Sequence, residues 1–161
     1  VYVFVLSEDQ SRFSAKDRME MVRLGTADLP NVTVLPTGPY LISSATFPTY
    51  FLKDRDSASK VQCSLDVAVF LRYFAPKFSI TCRFVGTEPL SPMTEQYNRA
   101  LKAELSANGI TVFEIPRLET GGKAISASRV RALLETEDFA ELKTIVPATT
   151  FEYLKTKGYL R

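Results

Sequence analysis

The chain has 161 residues, 45% of them hydrophobic and 24% charged, a balance that suits a folded domain with its own core and argues against disorder. Its 20 basic and 18 acidic side chains leave a formal charge of +2, too small to indicate a nucleic-acid or membrane partner. It contains no histidine, which excludes Ser-His-Asp and Cys-His catalysis and most zinc sites.

Val1–Leu6 reads as a buried strand, because it lacks a basic lead and is too short for a signal core. No apolar run reaches the length that spans a bilayer. The chain opens on Val1, directly inside this strand and not on methionine, which leads us to expect that something upstream has been cut away or is not shown. Further strands are predicted at Val32–Leu35, Ile80–Val85 and Ile110–Ile115; all four are rich in Val, Ile and Phe, as strands buried on both faces tend to be. They alternate with helical patterns, which predicts a parallel sheet covered by helices.

The first helix is expected after Phe13, with Ser14 and Asp17 spaced as a capping box and Gly25 as its stop. A second, from about Ser59 to Tyr73, places Val61, Leu65, Ala68, Val69 and Tyr73 at helical spacing. Asp66 then falls at the helix edge, and no acidic pair has metal-ligand spacing. A third runs from about Thr94 to Ala107, with Tyr97, Leu101 and Leu105 on one face and Asn108-Gly109 ending it. Gly121-Gly122 reads as a loop within a single domain covering residues 1–161. Thereafter the chain is helical: Ser126–Leu134, a stripe of Phe139, Leu142, Ile145 and Val146, and a last helix opened by Pro147 and closed by Gly158. Cys63 and Cys82 lie far apart in apolar contexts and read as buried free thiols of a cytosolic protein.

The run Ile125-Ser126-Ala127-Ser128-Arg129-Val130-Arg131 carries the most chemistry. It sets two hydroxyls at a helix start and two arginines just behind them. Helix N-termini expose unpaired N–H groups and favour anions, and arginine supplies a forked donor for phosphate oxygens. Arginine this early opposes the macrodipole unless an anion lies close, so the pattern points to a bound phosphate. The plain alternative is that Ser126 caps the helix while both arginines face solvent. Gly86-Thr87-Glu88 follows a strand directly, where ligands of open α/β sheets bind. Gly86 would admit a base or ribose, and Thr87 or Glu88 would bond it; a plain strand-to-helix loop is the alternative. Between Ile42 and Lys53, the hydroxyls of Ser43, Ser44 and Thr46 mix with aromatic side chains, as in a pocket for a small acid or a pantetheine-like group, or equally in a capped amphipathic helix. Lys53 and Arg117 are spare cations near expected element ends.

Ile125–Arg131 resembles the Ile-Ser-Ser-Thr-x-Ile-Arg motif of the nucleotidyltransferase superfamily, and Phe13–Met21 resembles the segment after that superfamily's second strand. Tyr40–Pro48, Arg83–Pro89 and Thr94–Asn98 resemble citrate lyase ligase in particular, in its C-terminal nucleotidyltransferase-like domain, and together with Ile125–Arg131 and Val146–Leu154 they cover nearly the whole chain. The resemblance implies a Rossmann-like, doubly wound parallel sheet with a helical C-terminal tail. It implies Ser126, Ser128 and Arg131 as ligands of the β- and γ-phosphates of ATP, with Ala127 replacing one hydroxyl residue, and Gly86, Thr87 and Glu88 at the nucleoside. Magnesium would bind through the phosphates. Acetate and the acyl carrier subunit of citrate lyase would be the other substrates, the acetyl group passing through acetyl-adenylate to a thiol. The superfamily's His-x-Gly-His motif follows its first strand, central in the order 3-2-1-4-5; here Val1–Leu6 matches the second strand. The motif and the central strand are therefore expected to lie outside this chain, which alone would turn over poorly, and no catalytic residue is assigned. Other readings are a different adenylyl- or cytidylyltransferase, such as one making coenzyme A precursors, and a non-catalytic α/β binding module.

Overall fold

The computed structural model describes residues 1–8, 11–46, 58–87 and 92–160. Its elements, in chain order, are β1 (Tyr2–Val5), α1 (Ala15–Gly25), β2 (Thr33–Pro36), α2 (Ala58–Val69), a π-helical turn (Phe70–Phe74) leading into α3 (Ala75–Lys77), β3 (Cys82–Gly86), α4 (Pro92–Ala107), β4 (Thr111–Ile115), β5 (Glu119–Thr120), β6 (Lys123–Ala124), α5 (Ala127–Glu135), α6 (Phe139–Ile145) and α7 (Ala148–Thr156). The four predicted strands and the predicted helices are present, and the chain is an α/β protein. It divides into two compact units: Val1–Val5, Asp9–Pro36 and Leu118–Arg161 form the first, Leu6–Glu8 and Thr37–Arg117 the second.

In the first unit, β1 and β2 pair in parallel with Tyr2 opposite Thr33 and Val5 opposite Pro36. Helix α1 starts where its capping box predicts: the Ser14 hydroxyl accepts from the Asp17 N–H at 3.0 Å. Leu133, Leu134, Leu142, Ile145 and Leu154 of the three C-terminal helices form the core, with Phe13, Met21 and Phe139 packed on it. Gly121-Gly122 proves to be more than a loop. Both glycines have positive φ, 60° and 69°, which the tight turn of the β5–β6 hairpin requires.

The same unit carries a polar clamp. Asp17 accepts hydrogen bonds from the Ser14 hydroxyl at 2.7 Å and from the Tyr153 and Tyr159 hydroxyls at 2.7 and 3.0 Å, tying α7 and the segment after it to α1. These donors, Ser14 first and Tyr153 next, hold the Asp17 carboxyl at about 2, below its ordinary 3.8. Because the folded value lies lower, the stabilisation is complete above about pH 4 and is lost as the pH falls toward 2. Asp17→Asn is therefore expected to flatten the loss of thermal stability between pH 5 and about pH 2.5. Melting curves of the two proteins at both pH values check this.

The second unit pairs β3 with β4 in parallel, Cys82 opposite Thr111 and Gly86 opposite Ile115. Val85 and Val112 pack onto a core built from Leu41, Cys63, Val67, Phe70, Tyr97, Leu101 and Leu105. Helix α4 buries the predicted stripe of Tyr97, Leu101 and Leu105. Burial pushes the Cys63 thiol up to about 11, which removes it as a nucleophile at neutral pH.

Two expectations are corrected here. The strands are not buried on both faces: Phe84 and Phe113 are 55% and 47% exposed, their rings stacked 5.1 Å apart. An apolar strand composition reports what one face needs, and here only the Val85–Val112 face meets the core. The buried stripe of α2 also differs from the predicted one. Leu65, Ala68 and Tyr73 are exposed, whereas Cys63, Asp66, Val67 and Phe70 are buried. The inward face contains a carboxylate, and its neighbours supply the donors that make this tolerable.

Candidate functional site

Helix α5 begins at Ser126, whose extended backbone (φ −143°, ψ 155°) turns the chain into the helix. The Ser126 hydroxyl accepts from the Arg129 N–H at 3.1 Å and its carbonyl from the Val130 N–H at 3.1 Å. The second of these is the first regular bond of the helix, and the first satisfies Arg129, one of the four N–H groups that a helix start leaves over. Those of Ala127 and Ser128 have no hydrogen-bond partner among the described residues, and both residues are exposed. Arg131 donates to the Ser128 hydroxyl at 2.9 Å and has no carboxylate partner among the described residues. The end of α5 thus offers free N–H groups, a hydroxyl and a guanidinium side by side.

Arg129 behaves differently. Its Nε and Nη2 both donate to Glu141 Oε1, at 3.0 and 2.5 Å, and its Nη1 donates to the carbonyls of Thr120 and Lys123 at 3.1 and 3.0 Å. The anion that offsets this early arginine is therefore the protein's own Glu141. Only Arg131 retains the mismatch that pointed to a phosphate.

Gly86, Thr87 and Arg117 meet in the second unit. The Thr87 N–H extends the strand pairing to the Ile115 carbonyl at 2.9 Å. The Arg117 N–H donates to the Thr87 hydroxyl at 3.2 Å, and its guanidinium Nε donates to the Thr87 carbonyl at 2.7 Å. Arg117 thus braces the strand end. A Cβ added at Gly86 would meet no atom of the described residues within 4 Å. The Gly86 carbonyl accepts from Asn98 Nδ2 of α4 at 3.0 Å. Glu88 and Lys53 lie outside the described residues.

Ser43, Ser44 and Thr46 also fall together in the second unit, with their hydroxyls engaged inside the protein. The buried Ser43 hydroxyl donates to the Pro39 carbonyl at 2.8 Å and accepts from the Thr46 N–H at 3.2 Å. Ser44 donates through its N–H and hydroxyl to Glu8 Oε1 at 2.7 and 2.8 Å, which lowers the pKa of the Glu8 carboxyl. Thr46 donates to Asp66 Oδ1 at 3.1 Å, and the Ile42 N–H to the same oxygen at 2.6 Å. Tyr97 donates to Asp66 Oδ2 at 2.6 Å; burial pushes its phenol well above the ordinary range. Asp66, expected at a helix edge, is 0% exposed. It lies three residues after the buried Cys63 and four before the buried Phe70, on the face that packs. Among the described residues no group of three or more His, Cys, Asp or Glu could hold a metal ion, and no helix is long and apolar enough to cross a membrane.

The family model described as citrate lyase ligase C-terminal domain matches residues 1–154. Among curated relatives, a [Citrate [pro-3S]-lyase] ligase of Escherichia coli (strain K12) is 41% identical over 96% of this chain and 46% of its own length. One from Haemophilus influenzae is 41% identical over 98% of the chain and 49% of its own length, and one from Klebsiella pneumoniae is 40% identical over 96% and 46%. The chain spans about half the length of these relatives. No solved structure matches.

Proposed function

Because this chain belongs to the citrate lyase ligase C-terminal domain family, we propose that it supplies the nucleotide-binding part of an ATP-dependent ligase that activates citrate lyase. In this reading acetate attacks the α-phosphate of ATP, giving acetyl-adenylate and pyrophosphate. A thiol on the acyl carrier subunit of citrate lyase then takes the acetyl group and releases AMP and a proton. The finer fold assignment belongs to the same proposal. In this reading residues 1–161 are one Rossmann-like, nucleotidyltransferase-like domain, to which the parallel pairs β1–β2 and β3–β4 both belong.

The observation that carries the reading is the start of α5. The N–H groups of Ala127 and Ser128 have no protein partner among the described residues, and Arg131 and the Ser128 hydroxyl stand beside them. Such an end attracts a multiply charged anion through its partial positive charge and directional donors. Ser126 contributes its place at the cap, since its hydroxyl already serves Arg129. At the second cluster, Gly86 brings no side chain against a flat base or ribose, and Thr87 keeps a hydroxyl proton to donate. Magnesium, bound through the phosphates, would neutralise part of their negative charge. The hydroxyls of Ser43, Ser44 and Thr46 shape their loop in this account and leave the contact with acid or thiol to other groups.

Arg131→Ala in the full natural chain tests the assignment. ATP affinity is expected to fall about tenfold, with AMP affinity changed far less, because the lost fork serves the outer phosphates. Calorimetric titration with each nucleotide measures both; equal losses would count against the phosphate role. Release of pyrophosphate with acetate, and none with phosphopantetheine, separates this ligase from a coenzyme A precursor adenylyltransferase.

A further inference from the structure

The two faces of the β3–β4 pair are unequally served. One carries Val85 and Val112 into the core shared with α2 and α4. The other carries Phe84, Phe113 and Ile115, which are 55%, 47% and 50% exposed. Phe84 stands opposite Phe113, and Ile115 lies two residues further along the same strand face, so the three apolar side chains form one patch. The two rings are stacked 5.1 Å apart. Parallel strands occur with both faces covered, because the connections between them lay helices on either side. A bare apolar face on such a pair calls for a partner.

We infer that the Phe84–Phe113–Ile115 face is the docking surface for an apolar segment of the natural protein that lies beyond the stretch given by residues 1–161. The relatives have chain to spare for this, since residues 1–161 match only 46% to 49% of their length. The size of the patch favours a tethered occupant. Half-exposed side chains of this kind leave on the order of 300 Å² uncovered, whereas a stable complex of separate molecules buries about 800 Å² on each partner. A second copy or a separate subunit would gain too little here to offset the freedom it loses on binding. A segment of the same chain loses far less, because the linkage already holds it at high effective concentration. The C-terminal helices do not suit the part. They bury Leu133, Leu134, Leu142, Ile145 and Leu154 in their own core, and among the described residues α5, α6 and α7 expose no large apolar side chain. Neither nucleotide nor acetate enters into this assignment.

Phe113→p-benzoylphenylalanine in the full natural protein tests the assignment, because on illumination the benzophenone bonds to a C–H group lying against it. Digestion and mass spectrometry then identify the peptide it has joined. The expected main product is a cross-link within one molecule to a peptide outside residues 1–161. A main product joined to residues 1–161, a cross-linked dimer, or no more cross-linking than in the unfolded chain would each overturn the docking role. Hydroxyl-radical oxidation of the unaltered full protein guards against disturbance by the bulkier side chain. Left bare, Phe84 and Phe113 would be oxidised in proportion to their exposure of 55% and 47%. Under a docked segment they should hardly react, and oxidation at the bare rate would overturn the assignment as surely as a misplaced cross-link.

Discussion

Asp66→Ala is expected to destabilise the second unit by about 4 kcal/mol, because it strips the acceptor from three buried or half-buried donors at once. The Ile42 N–H and the Tyr97 hydroxyl lie at 2.6 Å from its two oxygens, and Thr46 adds a third bond. Tyr97, buried in the core with Leu41, Val67 and Phe70, cannot turn its hydroxyl to water without moving those side chains. Ile42 raises the cost, because it sits at φ 45°, a region that β-branched residues avoid, and its N–H bond to Asp66 helps hold it there. Asp66→Asn keeps one acceptor and is expected to cost about half as much. Urea denaturation should show a lower midpoint with an unchanged slope, and amide exchange at Ile42 should quicken. An alanine variant as stable as the parent would show that the three bonds carry no net weight.

Arg129→Ala is expected to cost about 3 kcal/mol in the first unit, through the loss of charge-assisted bonds from a side chain that is 15% exposed. One guanidinium ties the β5–β6 hairpin, through the Thr120 and Lys123 carbonyls, to Glu141 on α6. Lysine cannot span these acceptors with a single ammonium group, so Arg129→Lys should recover less than half of the loss. The two arginines of α5 can then be told apart. Arg129→Ala should lower the unfolding midpoint and expose the amides of residues 120–123 to exchange. Arg131→Ala should leave the midpoint close to the parent's and act on the nucleotide. Loss of ATP binding from Arg129→Ala without any loss of stability would reverse these roles.

Local chemistry made much of the framework legible. Ser14 and Asp17 define the start of α1, Ser126 that of α5, and Pro147 and Gly158 bracket α7, because caps and breakers act through atoms close in sequence. The parallel pairing followed from alternating strands and helices. The inward face of α2 was not legible, since the eye passes over an aspartate when seeking an apolar stripe. What makes Asp66 an interior residue lies 24 positions earlier, at Ile42, and 31 later, at Tyr97. Tertiary hydrogen bonds of that span leave no periodicity to read. The same holds for the candidate site: the helix opening at Ser126 could be read from spacing, but the brace that Arg117 forms could not, because it depends on the Thr87 carbonyl 30 residues earlier. Arg129 and Arg131 looked equivalent in sequence and diverge only because Glu141 lies within reach of one of them.

The π-helical turn explains a further oddity of the long helix in the second unit. Val67 and Ala75 are both buried although eight residues apart, a spacing that in a regular α-helix would set them about 80° apart around the axis. The Ala75 N–H reaches back five residues to the Phe70 carbonyl, and this wider loop absorbs one residue of winding. Beyond it, side chains fall where a spacing of seven would place them. The helix can therefore be regarded as carrying a residue in excess. A chain one residue shorter between Phe70 and Phe74 would wind regularly and still direct Val67 and the residue now at 75 to the same side, so this segment is where a change of length would disturb the interior least.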